Sequence, residues 1–139
     1  MDTNKVDFFI LSKGNMFPNA QLPFLREKLI EASEDKWVEL NSASYKNPTI
    51  ALIMSIIVGT YGADRFYLGQ PLLGVGKLLL TILLIVGAIM TEIIDFNNWM
   101  AIPFLCVICI LLFWYFIDIF LVSKTAKEQN LNTILTILN

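Results

Sequence analysis

From Leu72 to Ile94, and again from Trp99 to Val122, the chain is almost all apolar: Lys77, Glu92 and Asp118 are the charged residues within the two runs, and Asp95, Asn97 and Asn98 lie between them. About 20 apolar residues suffice to cross the hydrocarbon core of a bilayer as a helix, and both runs reach that length. Composition points the same way. Hydrophobic residues make up 56% of the 139 and charged ones only 16%, with a mean hydropathy of +0.65. A soluble domain of this size keeps more charge, so the expected class is an all-α integral membrane protein.

A third apolar stretch, residues 48–63, opens on Pro48, a residue suited to a first helical turn. As a helix it reaches about 24 Å, short of a hydrocarbon core of about 30 Å. The expected membrane domain is therefore residues 48–123, with helices at about 48–63, 72–94 and 99–122. The last two form a hairpin turning at Glu92–Asn98, and Trp99 and Trp114 are candidate interfacial anchors. Residues 1–47 carry six basic and seven acidic side chains and read as a soluble helical segment. One helix there is entered at Pro23, with Leu22, Leu25, Leu29 and Ala32 at helical spacing. A second short helix follows, with Ser33 as its cap and Glu34 and Asp35 near its positive end. Residues 124–139 form an amphipathic tail on Leu131, Ile134, Leu135 and Leu138, placed to reach the N-terminal segment.

Several functions are disfavoured by the residues present. There is no histidine, which removes the commonest general base and metal ligand. Cys106 and Cys109 form a CxxC inside the apolar run AIPFLCVICILLF, without the polar setting of a redox or zinc site. No catalytic residue, metal site or cofactor is expected. A net charge of -2 gives no basic face for nucleic acid. Neither a cleavable signal sequence nor a lipidation motif is legible.

Five of the seven glycines, Gly59, Gly62, Gly69, Gly74 and Gly76, cluster in GTYGADRFYLGQPLLGVGK. The spacing from Gly69 to Gly74 matches a phosphate-binding loop, but Val75 stands where that loop needs lysine, so no nucleotide is expected. Glycines here suit sharp turns and close helix packing in a membrane. The loop 62–71 holds Asp64 and Arg65 beside Phe66 and Tyr67.

The segment Gly62-Ala63-Asp64-Arg65-Phe66-Tyr67-Leu68-Gly69, the helix start at Gly74–Leu79 and the run Trp114-Tyr115-Phe116-Ile117-Asp118 together resemble the TM-two domain family. That family is named for two transmembrane helices joined by a short loop with a DRF motif, here Asp64, Arg65 and Phe66. The N-terminal segment and the SKTAKEQN tail resemble bacterial members that carry such a soluble part. The resemblance implies a bacterial inner-membrane protein, and it brings no settled biochemical activity with it. One departure stands out: 36 residues separate Lys77 from Trp114, far more than is usual in the family. That insertion turns one membrane helix into a hairpin.

Asp118 lies within an apolar helix, where an unpaired carboxylate would cost several kcal/mol, so a basic partner is expected. Arg65 is the first choice and Lys77 the alternative. Lys46, Arg65, Lys77, Lys124 and Lys127 all fall on one cytoplasmic side if helix 48–63 is re-entrant and the two long helices cross, leaving the Glu92–Asn98 turn outside. An ordinary three-crossing layout is the competing arrangement. The functional expectation is a non-enzymatic module that assembles in the bilayer with itself or with a membrane partner protein. The alternative is an oligomeric pore or small transporter lined by Asp64, Arg65 and Asp118.

Overall fold

The computed structural model describes residues 1–93 and 98–139. The fold is all-helical, and no strand occurs among the described residues. Its helices are α1 (Thr3–Lys13), α2 (Leu22–Glu31), α3 (Lys36–Ser42), α4 (Pro48–Val58), α5 (Ala63–Tyr67), α6 (Pro71–Ile93) and α7 (Asn98–Leu138). They divide into two compact units, one made of Met1–Thr49 with Ser123–Asn139, the other of Ile50–Val122.

The first unit is a small helical domain built from both ends of the described chain. Val6 and Phe9 of α1, Leu25 and Leu29 of α2 and Leu40 of α3 form one core with Phe17 and with Leu131 and Ile134 of α7. Phe9 packs edge-on against Trp37 and Tyr45, and Phe17 does the same with Tyr45. Edge-to-face rings of this kind are worth somewhat more than their buried area alone. Burial pushes the Tyr45 phenol up to about 12, so it stays neutral and donates to the Leu40 carbonyl at 2.8 Å. On the surface, Arg26 meets Asp7 and Lys5 meets Glu34, in exposed pairs that contribute little.

Asn130 ties the two halves of this unit together. It is 2% exposed, its amide nitrogen donates to the carbonyls of Met16 and Lys46, and its amide oxygen accepts from the Lys46 backbone N–H. Leucine at this position keeps the volume but removes all three hydrogen bonds, and each buried polar group stripped of such a bond costs about 1–3 kcal/mol. Asn130→Leu is expected to loosen this unit by about 3 kcal/mol. Limited proteolysis would read it as faster cleavage at the lysines and arginine of residues 1–49.

The capping expectation for α3 needs correction. Its N-cap residue is Asp35, with no side-chain capping bond, rather than Ser33. Glu34 is drawn elsewhere: its carboxylate accepts from the Asp2 backbone N–H and from the Lys5 ammonium. Helix α1 is not among the elements expected from sequence. Val6 and Phe9, three apart, are its buried face.

Two helical stretches are long and apolar enough to cross a membrane, Pro71–Met90 and Leu105–Leu138, with 18-residue windows of mean hydropathy 2.5 and 2.7. Within the most apolar 18 residues of each, only 6% and 11% are buried. α4 is shorter than the expected 48–63. It ends at Val58, and a 3-10 turn at Gly59–Tyr61 leads into the left-handed Gly62. At about 1.5 Å per residue it spans about 17 Å. The expected helix end near residue 122 is absent, although the second compact unit does end at Val122. α7 runs on through Leu138, because residues 123–130 contain no glycine or proline and hold a Lys124–Glu128 pair one turn apart. The tail is the end of this helix. Asp95 and Asn97, placed in the hairpin turn, lie outside the described residues, as do the side chains of Glu92, Asn98 and Trp99.

Candidate functional site

A short stretch of chain around Gly62 builds the site. Gly62 has φ +79 and Gly69 φ +72, and these are the left-handed residues among those described. Between them Ala63–Tyr67 form about one and a half turns of helix, where the glycine content suggests an irregular loop. The turn opens with the Arg65 and Phe66 N–H groups donating to the Gly62 carbonyl. It closes as a Schellman motif, with Gly69 N–H to Phe66 O at 3.0 Å and Gln70 N–H to Arg65 O at 2.8 Å. Pro71 then starts α6 at the position where a missing N–H costs nothing.

Tight backbone approach fixes this turn on α6. A Cβ at Gly62 would meet the Gly74 carbonyl oxygen and lie 2.9 Å from its Cα. A Cβ at Gly74 would lie 2.9 Å from the Phe66 ring. Phe66 of the DRF triplet is thus the lid over Gly74. Along α4 and into the turn that follows it, Ala51, Ser55 and Gly59 are buried at four-residue intervals. Tyr115 of α7 lies against Gly59 and donates its hydroxyl to the Ile56 carbonyl at 2.8 Å.

Four charged side chains converge there. Lys77 donates to Asp64 Oδ2 at 2.8 Å and also pairs with Asp118. Arg65 pairs with Asp118 through Nη2, with Nε 3.4 Å from Asp118 Oδ2, and donates through Nη1 to Gln70 Oε1 at 2.8 Å. Arg65 Nε stands 3.8 Å from Asp64 Oδ2. Asp64 and Asp118 are essentially buried, and the Arg65 and Lys77 side chains nearly so. The cluster therefore holds two carboxylates against two cations and is balanced in charge.

The choice between Arg65 and Lys77 as partner of Asp118 does not arise, because both sit on it. The reason is geometric. Lys77 lies nearly two turns into α6 from Pro71, and the Gly62–Gly74 contact brings that part of α6 against α5. Two buried oxygens, Asp64 Oδ1 and Ser55 Oγ, have no hydrogen-bond partner among the described residues. Gln70 and Ser55 are not among the residues that sequence reasoning singles out, and Tyr115 enters there only as part of the run Trp114–Asp118. Tyr115 has a usable signal, since it stands three residues before Asp118 and so shares its helix face. Cys106 and Cys109 are free and exposed on α7.

Residues 44–94 match the family model of the TM2 domain. That stretch, under half of the chain, is similar to a TM2 domain. The matched span takes in α4, the DRF turn and α6, hence three of the four charges. It ends before Trp114 and Asp118, so the fourth charge comes from a helix outside the matched TM2 span. Comparison with curated proteins and with solved structures finds no match.

Proposed function

We propose that this protein is a non-enzymatic module of the cytoplasmic membrane, with its TM2 domain embedded in the bilayer and a cytoplasmic helical unit presented for assembly with itself or with a partner protein. The observation that carries the topology is the shared core of the first unit. Leu131 and Ile134 pack with Val6 and Phe9, so the segments on either side of the membrane unit lie on one side of the bilayer. Common sidedness needs an even number of crossings. α6 and α7 supply two, and α4, at about 17 Å, enters without crossing. Lys46, Arg65, Lys77, Lys124 and Lys127 then share the cytoplasmic side, in keeping with the positive-inside bias.

The balanced charge cluster supports a structural role for the DRF turn: it staples α5, α6 and α7 together rather than offering a net charge to a passing ion. Support for assembly comes from the cytoplasmic unit, where Phe8, Leu11 and Val38 are 67%, 87% and 74% exposed. Phe8 and Leu11 stand three apart on α1 and form one apolar strip. Light scattering on the purified protein in detergent, compared with Phe8→Ser/Leu11→Ser, tests the self-assembly arm. An oligomer that falls to a monomer in the variant is expected. A mass unchanged by the substitution would remove this strip as the assembly surface.

A further inference from the structure

Two hydrogen bonds within the second unit fix how far α4 reaches along the longer helices. The Tyr115 hydroxyl donates to the Ile56 carbonyl at 2.8 Å. Ile56 stands eight residues beyond Pro48, and Tyr115 seven before Val122, about 12 Å and 10 Å along their helices. The Thr81 hydroxyl donates to the Thr60 carbonyl at 2.6 Å, in the turn that follows α4. Thr81 lies ten residues into α6, close to the middle of its 23 residues. The chain then turns back. Gly62 approaches Gly74, and Asp64 pairs with Lys77, both nearer the start of α6. α4, its turn and α5 therefore all lie beside the first half of α6.

Beyond the level of Thr81, only α6 and α7 continue among the described residues. The second unit is thus unequal along its length. A helix with its side chains is about 10–12 Å across, so α4 alone adds on the order of 100 Å² of cross-section to one half. Its bulk also points outward. α4 turns its small residues Ala51 and Ser55 inward and buries them fully, with Gly59 next in line. Ile53 and Ile57, on the opposite side of the helix, are 49% and 71% exposed. No charged residue occurs between Lys46 and Asp64, so this face suits an apolar surrounding rather than water.

We propose that the second unit is a wedge in the bilayer, wider in the cytoplasmic leaflet, and that the protein favours membrane whose cytoplasmic leaflet is convex. Its partner is a lipid surface of defined curvature. This rests on the membrane reading above, in which α4 enters from the cytoplasmic side without crossing. In a convex leaflet the headgroups are spread and packing beneath them is looser, so an inserted helix costs less there than in a flat one. The opposite leaflet is compressed, and there the unit presents only α6 and α7. Gly62 and the paired charges turn the chain back at mid-depth, keeping α4 and α5 in one leaflet.

The test places the full chain in vesicles of phosphatidylcholine and phosphatidylglycerol, from about 50 to about 400 nm in diameter, a range over which curvature-sensitive helices discriminate. A fluorophore at Asn4→Cys, with Cys106 and Cys109 removed, reports protein per lipid on single vesicles. An impermeant quencher identifies the molecules whose residue 4 faces outward. For those, protein per lipid is expected to be at least about threefold higher in the smallest vesicles than in the largest. The aqueous unit is bulky too, so substitutions within the bilayer are decisive. Ile53→Trp with Ile57→Trp adds bulk to the cytoplasmic half and is expected to steepen the dependence on diameter. Ile102→Trp with Leu105→Trp, at positions 66% and 63% exposed in the other half, is expected to flatten it. Ile53→Ala with Ile57→Ala, also expected to flatten it, serves should the first pair fail to fold. Density independent of diameter overturns the proposal, as does a shift in the same direction, or no shift, for the two tryptophan pairs. Release of the protein from the vesicles by alkaline carbonate would overturn the membrane reading itself.

Discussion

Asp118→Ala is expected to destabilise the second unit by about 3–5 kcal/mol, because it leaves Arg65 and Lys77 buried around a single remaining carboxylate. Removing one partner of a buried ion pair costs more than the pair contributed, since the other charge is left without compensation. The cluster also makes a less obvious prediction. Adding Lys77→Met to Asp118→Ala restores one acid to one base, Asp64 with Arg65. The double variant should therefore be more stable than Asp118→Ala alone, by about 2 kcal/mol, within the range of coupling found between charges in contact. Unfolding by SDS in mixed micelles measures both. If the two substitutions simply add, the four side chains do not act as one balanced group.

Gly62→Ala is expected to cost about 3 kcal/mol, from two sources that act together. At φ +79 an L-residue with a Cβ carries a penalty of about 1–2 kcal/mol. The added carbon also meets the backbone of Gly74, whose Cα would lie 2.9 Å away, and backbone in a helix cannot swing aside as a side chain can. Gly76→Ala, on the same helix as Gly74, provides the contrast. Its Cβ meets nothing, so the gain in helix propensity makes it neutral or more stable by up to about 1 kcal/mol. The same unfolding titration separates the two. Equal effects at Gly62 and Gly76 would mean that α5 and α6 do not approach as closely as described.

The long apolar helices are legible because each is written as an apolar run with few interruptions, and such a run is hard to mistake. The glycine cluster with Asp64 and Arg65 is legible as a special segment, but its conformation is not. Six residues between two glycines can form an irregular loop or a helix with a Schellman close. The outcome depends on which carbonyls the N–H groups of Gly69 and Gln70 reach, and spacing alone does not carry that. Gln70 supplies both the closing N–H and an acceptor for Arg65, and neither role has a sequence signature. The Asp118 partners follow from charge accounting, which names candidates without ranking them. Lys77 joins Arg65 because the Gly62–Gly74 approach is a tertiary contact.

The continuity of α7 is hidden for a different reason. The drop in hydropathy after Val122 marks the end of an apolar surface, which is not the end of the helix. Residues 123–130 have ordinary helix formers and no breaker, so the backbone carries on while the side chains change from apolar to polar. Helix α1 is hidden by its ambivalent pattern: Val6 and Phe9 are buried, yet Phe8 and Leu11 face outward. The apolar stripe is too blurred for periodicity to reveal.

The most direct test of the proposed topology is the sidedness of three positions, using single cysteines in place of Asn4, Asn97 and Asn139 with Cys106 and Cys109 removed. A membrane-impermeant thiol reagent is applied to intact cells and again after permeabilisation. Position 97 is expected to label in intact cells, while positions 4 and 139 label only once the membrane is opened. Labelling of positions 4 and 139 from opposite sides would contradict this, since residues 1–49 and 123–139 could not then share the core that Leu131 and Ile134 complete.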